Sequence, residues 1–121
     1  MSKNLIFSSS TELVRVPVDS VVYISANGNY STIVTADGTE LVLTVQLGQI
    51  ESKISEMVDV YDRRFVRIGR SLIINREFIT LINLSRQKVC LSDSRMFKHE
   101  LSASRDALKN LKELIEKETM R

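Results

Sequence analysis

The 121-residue chain holds a single cysteine, Cys90, and a single histidine, His99. That excludes a disulfide framework and a zinc site built from cysteine and histidine. The four glycines, Gly28, Gly38, Gly48 and Gly69, stand apart from one another, so no glycine-rich phosphate loop is present. No nucleophile elbow and no histidine-rich metal motif occurs. No apolar run approaches the roughly 18 residues of a membrane span. Residues 1–10 lack the basic start and long apolar stretch of a signal peptide. The expectation is a cytoplasmic protein that is not an enzyme and has no cofactor, no metal and no membrane contact.

What is present is the mix of a globular domain, 43% apolar and 26% charged. The length is that of one domain, and it suffices for a real core. The net charge of +2 hides an uneven distribution. Residues 1–62 hold three basic and eight acidic side chains, a balance of −5. Residues 63–105 hold ten basic and three acidic ones, a balance of +7, and eight of the ten are arginine. The remaining residues, 106–121, cancel. Such asymmetry points to a polyanion partner. Arginine's planar fork suits phosphate and guanine edges. The competing reading is a solvated strand surface edged with bases, which also guards against edge-to-edge pairing.

Periodicity predicts many short strands and two helices. Residues 14–16 form a β-branched run stopped by the only proline, Pro17. Residues 21–24 are continuously apolar, like a strand covered on both faces. Residues 26–29, Ala-Asn-Gly-Asn, carry turn chemistry. Residues 30–35 and 40–45 read as strands joined by a two-residue turn at Asp37-Gly38. Leu47, Ile50, Ile54 and Met57 then step by three and four, which predicts an amphipathic helix with Thr44 as a cap near its start. Short strands resume over 65–68, 72–74, 78–84, 88–91 and 95–101. A second helix follows Ser104, with Leu108, Leu111 and Ile115 on one face and fraying expected from Glu118. The generic guess is a mainly β sandwich or small barrel. His99 reads as a half-buried structural residue in an alternating strand, and Cys90 as a small packing residue. Many arginines, including Arg70, Arg86 and Arg105, sit at element ends, where binding groups are usually displayed.

The run Phe65-Val66-Arg67-Ile68-Gly69-Arg70-Ser71-Leu72-Ile73-Ile74-Asn75 resembles the central signature of the LytTR DNA-binding domain, of the form F-x-R-x-x-R-S-x-I-V-N. Two further pieces match in order. Val22-Tyr23-Ile24-Ser25-Ala26-Asn27-Gly28-Asn29-Tyr30 resembles that family's strand-and-turn signature, and Ala103-Ser104-Arg105 resembles the opening of its last helix. The resemblance implies a mainly β fold, an elongated arrangement of short antiparallel sheets with a mid-chain and a C-terminal helix. On this basis residues 1–11 are an N-terminal extension, 12–116 the DNA-binding domain and 117–121 a tail.

The function implied is that of a bacterial transcription regulator that binds specific double-stranded DNA sequences through loops. The contacting positions that carry over are Asn29 and Tyr30, then Arg70 with Arg67 and Asn75 as supports, then Ser104 and Arg105. For Arg67 the competing reading is a strand residue paired with a carboxylate, and for Asn75 it is a turn cap, which is favoured. Gly69 and Leu72 depart from residues common in the family, His and an aromatic. No receiver domain lies in these 121 residues, so a stand-alone module is expected. Further partners are then a second copy on adjacent half-sites and a separate sensory or regulatory protein. The rival expectation is a small β-rich module that binds and regulates another DNA-binding subunit.

Overall fold

A computed structural model describes residues 4–57, 64–92 and 98–119 of the chain. Its centre is an antiparallel five-stranded sheet in the order β5-β4-β3-β7-β6. The strands are β3 (Val21–Asn27), β4 (Tyr30–Thr35), β5 (Glu40–Leu43), β6 (Phe65–Ile68) and β7 (Leu72–Asn75). A two-stranded hairpin, β1 (Asn4–Ser8) with β2 (Leu13–Pro17), precedes it. A three-stranded sheet, β10-β9-β8, follows it, built from β8 (Ile79–Asn83), β9 (Lys88–Ser92) and β10 (Lys98–Ser102). The helices are α1 (Leu47–Met57) and α2 (Arg105–Thr119). The mainly β fold class is as expected.

The central sheet divides the apolar residues into two cores. One holds Leu5, Val16, Val21, Ile24 and Ile33 with Leu47, Ile50 and Ile54 of α1. The other holds Val22, Leu72 and Ile74 with Val89, Leu91, Leu108 and Leu111, from the third sheet and α2. Strand alternation explains the split. Ile73 faces the first core, and its neighbours Leu72 and Ile74 face the second. The sheet is covered on both faces, so residues 72–74 of β7 and the first half of β3 read as unbroken apolar runs. In β3 strict alternation would place Val22 and Ile24 together. A bulge between Val21 and Tyr23 separates them, sending Val22 to the second core and Ile24 to the first.

Several local expectations are corrected. No strand was expected near the N-terminus, yet β1 pairs along all of β2 and fully buries Leu5. Helix α1 has its expected span, but Gln46 rather than Thr44 stands at its start. The Gln49 side chain accepts from the Gln46 amide at 2.8 Å, and the Gln46 carbonyl receives the first helical bonds. The Asp37-Gly38 connection is a three-residue loop, closed by the Thr35 amide on the Thr39 carbonyl, with Gly38 at φ +86°. The Thr35 hydroxyl donates to Asp37 at 2.5 Å and holds that carboxyl below its ordinary pKa, helped by the Thr39 amide. Helix α2 continues through Glu118 to Thr119, and Glu118 pairs with Arg76 at 2.7 Å. The first part of the strand expected over 95–101 lies outside the described residues. His99 is half-buried, edge-on to Tyr23 with centroids 5.2 Å apart, in keeping with a structural role. Burial raises the Tyr23 phenol pKa, with the charge of Glu40 adding to it. Cys90 is half-buried on β9.

Candidate nucleic-acid interface

Two tight turns emerge from the same end of the central sheet. The β3–β4 turn is Gly28-Asn29, closed by the pair Asn27–Tyr30. Gly28 takes φ +65°, a region an L side chain enters only with strain. Asn29 is exposed, and Tyr30 keeps 53% of its surface open. The β6–β7 turn is Gly69-Arg70-Ser71, closed by the pair Ile68–Leu72, with Gly69 at φ +61°. These turns are neighbours because β3 and β7 pair. Ser25 stands opposite Leu72, and one step further the Ala26 amide donates to the Ser71 carbonyl at 2.8 Å.

The start of α2 joins the same region. The Ser104 hydroxyl accepts from the Ala107 amide at 3.2 Å, and the Ser104 carbonyl from the Leu108 amide at 3.0 Å, so Ser104 is the N-cap. Ala107, in the first turn, lines a groove with Arg67 and Gly69, continued by Asn110 and Leu111. The β8–β9 turn also meets the chain just before the helix start, where the Ala103 amide donates to the Gln87 carbonyl at 3.3 Å. Ser104 and Arg105 are exposed. The three expected contact places thus form a chain of neighbours.

The charge in this region is less than the +7 segment suggests. Arg64 pairs with Asp19, Arg67 with Glu51 at 2.9 Å, Arg76 with Glu118 at 2.7 Å, and Lys88 with Glu100 at 3.8 Å. Arg63 and Arg95 lie outside the described residues. Arg70, Arg86, Lys98 and Arg105 have no ion-pair partner among the described residues and are exposed. Three of these four sit in turns or at a helix start.

The two support residues differ. Arg67 has the carboxylate partner of the competing reading, but its other terminal nitrogen donates to the Arg70 carbonyl at 3.3 Å. It therefore touches the loop it was expected to support. Asn75 is fully buried at the far end of β7. Its side-chain amide donates to the Val21 carbonyl at 2.9 Å, and its oxygen caps the Arg76–Phe78 turn through the Glu77 amide at 3.1 Å. It is a structural cap. Glu51 was missed as a member of the cluster. It lies 16 residues before Arg67 on a different element, and no spacing rule connects them.

The arrangement offers exposed hydrogen-bond donors on short rigid turns, beside a helix N-terminus that favours anions. The sequence profile of the LytTr DNA-binding domain matches residues 11–116. The chain belongs to the LytTr DNA-binding domain family. A solved structure described as the LytTr DNA-binding domain of a methyl-accepting/DNA response regulator from Bacillus cereus has the same fold. It superposes with a TM-score of 0.65 at 17% identity, over 93% of this chain and 95% of that one. A search of curated proteins finds no match to this chain. Membership of the LytTr family carries DNA binding and transcription regulation, in general terms, as this chain's role. No helix among the described residues is long and apolar enough to cross a membrane.

Proposed function

We propose that this chain is a bacterial, cytoplasmic transcription regulator that binds specific double-stranded DNA sequences through its turns. The observation that supports the reading is the backbone bond between Ala26 and Ser71, which holds the turn of Arg70, without an ion-pair partner among the described residues, next to the turn that carries Asn29 and Tyr30. In this reading Arg70 enters the major groove and pairs with a guanine edge. Tyr30 and Asn29 contact a phosphate or a base edge nearby. The Ser104 hydroxyl, still able to donate its proton, and Arg105 hold a backbone phosphate at the start of α2. Arg67 supports the Arg70 loop.

A single module of this size covers roughly 600–1,000 Å² of interface. Two copies on adjacent half-sites give the affinity that one copy lacks, and a separate sensory or regulatory protein supplies the signal. The test is selection of bound fragments from a random duplex pool. Enrichment of a short motif is the expected result. An unenriched pool, or no retention of duplex at low salt, overturns the reading and favours the protein-interaction module.

A further inference from the structure

We infer that Glu51, on helix α1 and outside every segment proposed to touch DNA, is a positioning residue for the Arg70 loop. This rests on the reading above, in which Arg70 contacts a base. The Arg67 guanidinium is a planar fork, and both of its terminal nitrogens are engaged. Nη1 donates to Glu51 Oε1 at 2.9 Å, and Nη2 donates to the Arg70 carbonyl at 3.3 Å. A three-residue connection such as Gly69-Arg70-Ser71 leaves carbonyls that the β6–β7 ladder cannot satisfy. Arg67 satisfies one of them, that of the reading residue itself.

The carboxylate decides where the fork points. Arginine has a long flexible stem, and the Arg67 side chain is 32% exposed. Without Glu51 nothing among the described residues orients its guanidinium except the loop carbonyl. A DNA phosphate would then compete for it, since arginine pairs readily with phosphate. With Glu51 in place the guanidinium is neutralised and kept on the loop. Ile50 and Ile54 of α1 are buried in the first core, so the carboxylate comes from a fixed element. Gly48, one turn earlier, also faces the fork: a Cβ there would lie 4.0 Å from Nη1. The Glu51 side chain is 49% exposed, and open ion pairs of this kind contribute little to folding. The pair therefore acts on the order of the loop.

The experiment compares Glu51→Gln with wild type on three duplexes at one salt concentration. These are a selected site, the same site with the base pair read by Arg70 exchanged, and an unrelated sequence. The readout is the affinity ratio of the first to the second, which does not depend on the folded fraction of the preparation. Glu56→Gln, an exposed position on the same helix, controls for simple removal of negative charge. Glu51→Gln is expected to lower the ratio by roughly three- to tenfold, with affinity for the unrelated duplex kept or raised and Glu56→Gln leaving the ratio unchanged. An unchanged ratio in Glu51→Gln, or an equal rise on all three duplexes, overturns the positioning role. If wild type itself does not distinguish the duplexes, the sequence-specific reading fails instead.

Discussion

The side-chain amide of Asn75 donates to the main-chain carbonyl of Val21 at 2.9 Å, inside the protein. The β3–β7 ladder ends at the pair Tyr23–Ile74, and the Asn75 side chain takes up the Val21 carbonyl just beyond it. The same side chain accepts from Glu77 at 3.1 Å and starts the turn that leads to β8. One residue thus extends the hold of β7 on β3 past the end of their ladder and starts the turn into the third sheet.

Asn75→Ala strands a buried carbonyl and an uncapped amide. Each such group costs about 1–3 kcal/mol, so a loss of at least about 2 kcal/mol is expected in urea unfolding. DNA affinity per folded molecule should not change, because Asn75 lies at the end of β7 away from the Arg70 loop. A loss of specific affinity at full stability would make Asn75 a DNA contact.

Gly69 holds φ +61° with open space around the position a Cβ would take. Gly69→Ala therefore meets no clash and bears only the conformational cost, about 1–2 kcal/mol for an L residue in this region. Thermal unfolding should move down by several degrees. The same change at Gly28, at φ +65° with equal space, should cost about the same. If either variant matches wild-type stability, the turn has relaxed to another form, and its reading residues should show weakened DNA binding.

Arg76 is largely buried, with a side chain 12% exposed, and Glu118 on the last turn of α2 is its ion-pair partner at 2.7 Å. Glu118→Ala leaves the guanidinium short of a partner. The carboxylate is 40% exposed, so the expected cost is about 1–2 kcal/mol, below that of a fully buried pair. Hydrogen exchange should rise in the last turn of α2 and not at Ser104. Uniform exchange along α2 would contradict a role for the Arg76–Glu118 pair in holding the last turn.

Much of this was legible in order of range. Helix α1 and the strands of the central sheet follow from periodicity alone, because their apolar positions repeat within a few residues. Strand β1 was not, since Asn4–Ser8 becomes a strand only by pairing with β2 and burying Leu5 beneath α1. The loop at Asp37-Gly38 shows a smaller failure: the residue pair allows a two-residue or a three-residue connection, and the Thr35–Thr39 pairing decides it. The site follows the same pattern. Arg70, Tyr30 and Ser104 stand out because turn and cap chemistry is local. The Ala26–Ser71 bond and the Glu51–Arg67 pair join segments far apart in the chain. The charge count also overstated the available positive charge, because three of the bases, Arg64, Arg67 and Arg76, are taken up by acids from outside the 63–105 segment.

The central claim is that Arg70 reads a base from a turn held beside Asn29 and Tyr30. Its most direct test is the affinity of Arg70→Ala for the selected duplex and for each single base-pair variant of it. The account predicts a loss of about 1–3 kcal/mol on the selected site and relaxed discrimination at one base pair only. Wild-type affinity together with wild-type discrimination at every position would contradict it.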